Sequence, residues 1–151
     1  MPPAELPQND SMRTARQNAG VVQNTVPVLA VKDVTASMRF YCEMLAFKLD
    51  WAGSADPPQI ASVSRDGHAI MLQRRDPATP GWVWIGTSDL ASLWKSVRTN
   101  GNVIIVQRPT NQRWALEMKI QDPDGNILWF GTESLPDLQF GQEPGADRLG
   151  L

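Results

Sequence analysis

The sequence is poor in residues that often carry chemistry, because its 151 residues include one histidine, one cysteine and one tyrosine. One cysteine cannot form an internal disulfide, which fits a reducing cytoplasm. No apolar run approaches the roughly 20 residues of a membrane-spanning helix. The polar, proline-rich start also lacks the apolar stretch of a secretory signal. We therefore expect a cytoplasmic protein without a membrane partner.

Strong charge is absent as well. The formal net charge is −2, so the chain has no basic field that would attract nucleic acid or an anionic membrane surface. The sequence contains no nucleophile motif, no glycine-rich phosphate loop and no pair of catalytic carboxylates at a telling spacing. These absences predict that the protein does not bind nucleic acid, and they leave no standard catalytic motif.

Two features are present in strength: tryptophan, with six residues, and an internal repeat. The Asp-Gly turn and apolar strand of residues 66–73 return at residues 124–131, an offset of 58 residues. The segment 26–34 returns at 82–90, an offset of 56 residues. The same elements in the same order at a nearly fixed offset indicate a duplication.

Each copy is predicted to fold as strand-helix-strand-strand-strand. Asp33 and Asp89 precede apolar residues at helical spacing, so we expect them to cap helices over 34–45 and 90–99. Hydrophobic patterning predicts strands at 26–31, 47–51, 59–64 and 68–74, then at 82–87, 103–107, 114–121 and 127–131. Loops are expected at 53–58, 76–81 and 109–113, where turn residues collect.

The predicted organisation is one two-module domain between two tails. Residues 25–133 form the domain, with module 1 at 25–75 and module 2 at 81–133. Residues 1–24 are expected to be a mobile tail or, alternatively, an arm docked on a partner subunit. Residues 134–151 are expected to be a tail that wraps around the domain or frays.

Strand alternation assigns side chains to faces. Ile70, Leu72, Leu128 and Phe130 are placed under the helices, and the opposite face looks into a concavity between the two sheets. Trp82 and Trp84 share that face with Trp129 and Met71. In the strand at 114–121, Trp114 is placed on the side opposite Glu117. Cys42 and Trp94 lie on apolar helix faces and are expected in the core.

Several segments resemble the vicinal oxygen chelate superfamily, which includes glyoxalase I, extradiol dioxygenases and bleomycin-resistance proteins. The resemblance runs from about Val26 to Glu133. It is carried by residues 28–34, 40–41, 45–47 and 88–90, by Glu117, and by the Asp-Pro-Asp-Gly-Asn run at 122–126. Ala46 stands where the family usually has glycine. The resemblance implies an α+β fold in which two βαβββ modules form a half-open barrel, often completed by a second subunit.

Metal-using members of this superfamily carry His, Gln or Glu on the first and last strands of each module. Their positions fall here on Val26, Met71, Trp82 and Trp129. None of these side chains can hold a hard divalent cation. The remaining metal alternative is Fe(II) held by His68, Glu117 and Glu133, if the fold brings them together. His68 is otherwise a solvated turn histidine. We predict no metal and no cofactor, and an enzyme is the less favoured interpretation.

Apolar and aromatic side chains take the place of the metal ligands. They suggest a stacking pocket for a flat or amphipathic small molecule, since tryptophan offers a large rigid face and one N–H donor. Gln73 is a further polar candidate, and Asp56 and Asp76 could attract a cationic ligand. The alternative is that these side chains simply fill the cup. The predicted ligand-binding residues are Trp82, Trp84, Trp129, Met71, Trp51, Trp114, Arg113 and Glu117.

The sequence thus predicts a metal-free protein of the bleomycin-resistance type that sequesters an antibiotic or similar metabolite, at the seam of a homodimer. Two other functions stay open. One is a metal-dependent lyase, isomerase or dioxygenase with relocated ligands. The other is a non-catalytic dimerising module whose cup is packed.

Overall fold

Each half of the described chain folds into one four-stranded sheet with one helix packed on it. The computed structural model describes residues 19–151, so most of the predicted N-terminal tail lies outside the described residues. Module 1 contains β1 (Val28–Val31), helix α1 (Val34–Arg39), β2 (Lys48–Ala52), β3 (Ile60–Arg65) and β4 (His68–Arg74). Module 2 contains β5 (Trp82–Gly86), helix α2 (Leu90–Val97), β6 (Ile104–Asn111), β7 (Leu116–Gln121) and β8 (Ile127–Thr132).

The two sheets have the same topology. Their strand orders are β1-β4-β3-β2 and β5-β8-β7-β6, and no strand of one sheet is hydrogen-bonded to a strand of the other within residues 19–151. In both, the first strand runs parallel to the last, while the other pairs are antiparallel. The predicted α+β fold of two βαβββ modules is therefore confirmed, with both sheets unclosed.

Both helices begin where their aspartate caps were predicted. The Asp33 carboxylate accepts a hydrogen bond from the Ala36 amide at 2.9 Å, and the Asp89 carboxylate accepts one from the Ser92 amide at 2.9 Å. These bonds satisfy amides that the first helical turn leaves free. Helix α1 continues as a wider π-helical turn over Phe40–Met44, so the helical segment ends close to its predicted end.

The core lies between the helices and the sheets. Ile70, Leu72, Leu128 and Phe130 are all buried under the helices, as predicted. Trp94 is also buried, which confirms its place in the core. Cys42 packs against this core but is only half-buried. Burial raises the pKa of its thiol, and Glu43 and Asp50 raise it further, so Cys42 is a poor nucleophile.

Two predictions around the β6–β7 hairpin were wrong. Strand β6 runs through the expected loop at 109–113 and ends at Asn111. The strand tolerates Pro109 because pairing with β7 is irregular between Gln107 and Thr110, where no ladder bond is required of it. Strand β7 begins at Leu116 rather than at Trp114. Trp114 therefore lies in the connection between the two strands.

The turn between β7 and β8 joins the modules. The buried Asp122 carboxylate accepts hydrogen bonds from the Asp124 amide, the Asn126 amide and side chain, and the Tyr41 hydroxyl at 2.9–3.0 Å. Burial raises the pKa of Asp122 against the opposing effect of these donors. It also raises the pKa of Tyr41 well above its ordinary value. Tyr41 belongs to module 1, so this network fixes one module against the other.

The segment after Glu133 packs against module 2. The buried Asn111 side chain bonds the backbone of Leu135 and Leu138, and its backbone bonds that of Gly141 and Gln142. A short 3₁₀ helix, Ala146–Leu149, follows and buries Leu149 in the core. The predicted domain boundaries themselves stay predictions. No helix within residues 19–151 has the length and apolar content to cross a membrane.

Candidate functional site

The open face of the second sheet, away from helix α2, carries a cluster of indole rings. Trp82 and Trp84 of β5 both pack against Trp129 of β8, with ring centroids 5.7 and 5.1 Å from its own. Trp82 and Trp84 are 67% and 44% exposed. Strand alternation puts Trp82 and Trp84 on one face, as predicted. We call Trp82, Trp84, Trp114 and Trp129, with Glu117 and Lys119, the tryptophan patch.

Gly131 makes the geometry of the patch possible. It pairs with Gly86 across the β5–β8 ladder, and the Trp84 ring lies directly over its backbone. A Cβ atom at Gly131 would stand 2.1 Å from Cη2 and 2.5 Å from Cζ2 of Trp84. No side chain larger than hydrogen fits there without moving the indole. The position of the Trp84 ring therefore depends on a glycine in the neighbouring strand.

Glu117 of β7 is the polar centre of the patch. Its side chain is only 2% exposed. Oε2 accepts hydrogen bonds from the indole N–H groups of Trp114 at 2.8 Å and Trp129 at 2.7 Å. Oε1 accepts one from the Gln107 amide at 3.3 Å. A buried carboxylate needs such donors, and here they orient two of the rings.

Lys119 balances the charge of Glu117. Its ammonium lies 3.8 Å from Oε1 of Glu117 and 4.5 Å from the centroid of the Trp129 ring. The cation therefore contacts both the carboxylate and the ring face. Trp82 and Trp84 have no indole hydrogen bond to the rest of residues 19–151, and both are exposed to solvent. The patch thus offers aromatic faces and two unused N–H donors.

The residues present do not fit the divalent metal that the family resemblance implies. Val26 precedes β1, Met71 lies on β4, and Trp82 and Trp129 lie in the patch. None has an oxygen or imidazole ligand to offer. The described part of the chain contains no group of three or more His, Cys, Asp or Glu side chains placed to hold a metal ion. The His68, Glu117 and Glu133 combination is therefore not assembled in one chain.

The other predicted site residues are dispersed. Trp51 of β2 and Met71 of β4 belong to the first sheet, and residues 19–151 show no ring contact or hydrogen bond that links them to the patch. Gln73 lines a hollow of about 320 Å³ on that sheet. Arg113 lies 5.7 Å from the centroid of the Phe140 ring, outside the contacts of the patch. Asp56, Asp76 and His68 are exposed.

Trp114 reaches the site by a route that the sequence pattern missed. It was placed on the side opposite Glu117, and that assignment was wrong. Trp114 precedes the regular strand, at the tip of the hairpin where Gln112 N bonds Ala115 O at 2.7 Å. Strand alternation does not apply at such a tip, so the indole turns onto Glu117.

Lys119, Gln107 and Gly131 are contributors that sequence reasoning did not select. A signal existed for two of them. Alternation put Lys119 on the side of Glu117, and it put Gly131 on the face of Trp129. Gln107 had none, because its contact with Glu117 depends on the irregular pairing of β6. For Lys119 and Gly131 the signal was therefore the position on the strand and not the type of residue.

Comparison with known proteins agrees with this architecture. The sequence model of the Glyoxalase/Bleomycin resistance protein/Dioxygenase superfamily matches residues 22–130. A comparison with curated proteins finds no match. The chain is similar in structure to TioX from Micromonospora sp. ML1, with a TM-score of 0.65, 18% identity, and coverage of 76% of this chain and 100% of the other.

Two further solved structures are similar. One is TnmS3, described as an antibiotic binding protein from Streptomyces sp. CB03234, with a TM-score of 0.61, 19% identity, and coverage of 76% of this chain and 100% of that one. The other is a glyoxalase/bleomycin resistance protein/dioxygenase from Nocardioides, with a TM-score of 0.61, 18% identity, and coverage of 89% and 99%. At these identities, the three structures establish the fold.

Proposed function

Because the chain belongs to the Glyoxalase/Bleomycin resistance protein/Dioxygenase superfamily, we propose that it binds and sequesters an aromatic or amphipathic small molecule on the tryptophan patch. The single observation that carries this proposal is the cluster of the exposed Trp82 and Trp84 rings against Trp129, whose indole is bonded to the buried Glu117. No bond is made or broken, and the bound molecule is simply withheld from its target.

The chemistry of the patch favours a flat ligand with hydrogen-bond acceptors. Exposed indole faces stack on planar aromatic groups, and the free N–H groups of Trp82 and Trp84 suit carbonyl or ether oxygens. Glu117 and Lys119 together carry no net charge, so the site has no strong preference for an ion. Trp129 is held by both residues, so its ring is a fixed surface for stacking.

Two independent considerations support sequestration over catalysis. The four positions where the superfamily carries metal ligands hold Val26, Met71, Trp82 and Trp129, which cannot supply the ligands that such chemistry requires. TnmS3, a protein of similar fold, is described as antibiotic binding. An antibiotic or a related metabolite is accordingly the ligand class that we propose, and the cytoplasm is the compartment in which it would be captured.

The exposed patch also supports a homodimer. Apolar rings that stand open in one chain are costly to leave in water. We propose that the first sheet of a second copy covers the patch and brings Met71 and Trp51 toward the ligand. In that arrangement the dispersed candidates on the first sheet would join the site from the partner.

Tryptophan fluorescence tests the proposal. Daunorubicin and 9-aminoacridine serve as planar probes, and kanamycin serves as the non-aromatic control. We expect saturable quenching by a planar probe and none by kanamycin. The substitution Trp84→Leu should weaken binding about tenfold, because one stacking surface is lost. Leu49→Ala, an exposed aliphatic change on the helix side of the first sheet, should leave binding unchanged.

The outcomes separate the competing functions. Stoichiometric iron, zinc or nickel in the purified protein, measured by elemental analysis, would favour a metal-dependent enzyme. Indifference of the fluorescence to every planar probe, together with a stable dimer in analytical ultracentrifugation, would favour a packed dimerising module. Trp51→Leu sharpens the dimer proposal, since it should weaken binding only if the partner contributes Trp51 to the site.

A further inference from the structure

The duplication creates two equivalent junctions, at each of which the hairpin turn of one module faces the first strand of the other. At the closed junction, the Asp124 carboxylate accepts a hydrogen bond from the Lys32 amide at 2.8 Å. The Asn126 side chain donates to the Ala30 carbonyl at 2.9 Å and accepts from the Gly81 amide at 2.8 Å. Two polar side chains of the turn thus satisfy two backbone groups of module 1, at Ala30 and Lys32, and the Gly81 amide just before β5.

The second junction is open. At the repeat offset of 56 residues, Thr25, Gly86 and Ser88 correspond to Gly81, Ala30 and Lys32. The facing turn contains Asp66 and His68, which correspond to Asp124 and Asn126. Within residues 19–151 no hydrogen bond joins this turn to the three backbone positions. A groove of about 820 Å³ lies there instead.

The open junction has a local cause in the sequence. Strands β3 and β4 are joined by only Asp66 and Gly67, both with positive φ, in a tight hairpin turn. The position of Asp122 is taken by Ser64, whose short side chain is bonded to Asp50 at 2.6 Å. This turn therefore has no carboxylate at the position from which Asp122 organises the other turn. The Thr25 and Ser88 amides and the Gly86 carbonyl, whose counterparts are satisfied at the closed junction, therefore receive no hydrogen-bond partner from this turn.

The groove is amphipathic. Its floor is apolar and continues into the core, and is formed by Phe47, Ile70, Val83, Ile85, Leu93 and Phe130. Its rim carries Arg65, Asp66, His68, Thr87 and Ser88. The guanidinium of Arg65 donates a hydrogen bond to the Leu45 carbonyl at 3.0 Å, and the Asp66 carboxylate lies 3.6 Å from its Nε atom. A pocket of this size accommodates a small organic molecule.

We propose that this groove is a second binding site, for a small amphipathic molecule with a carboxylate head. The apolar body lies on the floor, and the carboxylate accepts a hydrogen bond from the Ser88 amide, as the Asp124 carboxylate accepts one from Lys32. Arg65 supplies the positive charge at the rim. The closed junction is thus an internal template for the head group. Trp84 borders both the groove and the patch, but the proposal does not depend on the patch.

Decanoate is a suitable probe, and decanol, which has the same apolar body without the carboxylate, is its control. Binding is followed by ¹H–¹⁵N NMR of the full chain. We expect saturable shifts at the amides of Ser88, Gly86 and Gly67 with decanoate, and at least tenfold weaker binding of decanol. Arg65→Gln should weaken decanoate about tenfold and leave decanol unaffected. Arg74→Gln, an exposed arginine at the far end of β4, should change neither.

A second variant protects the test against a failure of Arg65→Gln to fold. Val83→Phe adds bulk to the floor of the groove, and it should reduce binding of both probes. The proposal is overturned if decanoate shifts only the indole signals of Trp82 and Trp129, if no shift saturates, or if decanol binds as tightly as decanoate. Binding of planar antibiotics to the patch is a separate measurement, so either proposal can fail alone.

Discussion

The two modules share a topology but differ on their open faces. In module 1 this face carries a polar cluster beside Met71, in which the hydroxyls of Ser62 and Ser64 both donate to the Asp50 carboxylate, at 3.2 and 2.6 Å. In module 2 the same face carries Trp82 and Trp84 against Trp129, whose indole is bonded to Glu117. The helix sides, by contrast, are apolar in both modules.

The difference shows which part of a duplicated module is free to change. Alternation along a strand puts successive side chains on opposite faces. A substitution on the open face therefore leaves the packing under the helix intact. Ile70 and Leu72 in module 1, like Leu128 and Phe130 in module 2, all serve the core, while their strand neighbours Met71 and Trp129 differ. Module 2 is therefore the half whose open face carries the cluster of indole rings.

The two junctions between the modules also differ. Module 2 supplies the long, polar turn that closes one junction, and module 1 supplies the short turn that leaves the other open. Asp122 is the decisive residue, because one buried carboxylate accepts four hydrogen bonds from its own turn and from Tyr41. Its counterpart Ser64 accepts no such set.

Breaking the closed junction should have the largest effect. Asp122→Ala leaves the Asp124 and Asn126 amides and the Tyr41 hydroxyl without their acceptor, so we expect a loss of about 3–5 kcal/mol in the free energy of unfolding, measured by urea denaturation. Ser64→Ala, the matched change in module 1, removes one hydrogen bond and should cost about 1 kcal/mol. Equal losses would contradict the asymmetry of the junctions.

The next effect concerns the paired glycines under Trp84. Gly131→Ala puts a Cβ atom into the space of the Trp84 ring, so we expect a loss of about 1–3 kcal/mol in stability and a changed near-ultraviolet circular dichroism spectrum. Gly86→Ala is the matched control, because its Cβ would have Trp84 Nε1 as its nearest neighbour at 4.0 Å. If Gly86→Ala lowers the stability as much as Gly131→Ala does, the close contact between the Trp84 ring and Gly131 is contradicted.

The pH dependence of stability sharpens the comparison further. Burial raises the pKa of Asp122 in the folded state. Protonation of Asp122 therefore favours the folded state. This stabilising contribution is fully present below the unfolded-state pKa near 3.8, and it is lost as pH rises through the folded-state pKa. The difference in unfolding free energy between the native protein and Asp122→Asn should grow on acidification.

Asp89 and Asp137 do not disturb that difference. Hydrogen bonds from Ser92 and Arg148 lower the pKa of these two carboxyls, and both groups are present in each protein. Their effects, which weaken folding as pH falls, therefore cancel. A ¹³C titration of the Asp122 carboxyl checks the cause directly. A difference that shrinks on acidification would show that the hydrogen-bond donors outweigh burial.

The smallest predicted effect is a gain. Ala46 has a φ of 57° at the end of the helical segment of module 1, a conformation that is strained for alanine and free for glycine. Ala46→Gly should raise the free energy of unfolding by about 0.5–1 kcal/mol. Asp66→Gly should change stability little, since aspartate tolerates its φ of 51° in a turn. Thermal unfolding of both variants measures the contrast.

The parts of the fold that follow local rules were predictable from sequence. Asp33 and Asp89 were predictable as helix caps, because a short side-chain acceptor directly before an apolar helical pattern can bond a free amide of the first turn. The buried faces followed from alternation. The extension of β6 through Pro109 was not predictable. Proline is tolerated there because the pairing with β7 is irregular, and that irregularity depends on the partner strand.

The candidate site was predictable in its rings and not in its polar centre. Trp82, Trp84 and Trp129 were found from alternation and from the repeat. Glu117 was selected as a polar candidate, but its bonds to two indoles depend on the shape of a hairpin tip. The open junction was not predictable either, because the sequence does not show whether the two-residue turn between β3 and β4 extends far enough to contact the other module.

The bond pattern of Asn111 has a practical consequence for anyone who handles this protein. Because that side chain fastens the final stretch of the chain to the outer strand of the second sheet, and Leu149 sits in the interior, shortening the carboxyl terminus amounts to removing part of the core. Expression designs should keep residues 134–151 intact and extend from Leu151 through a flexible spacer.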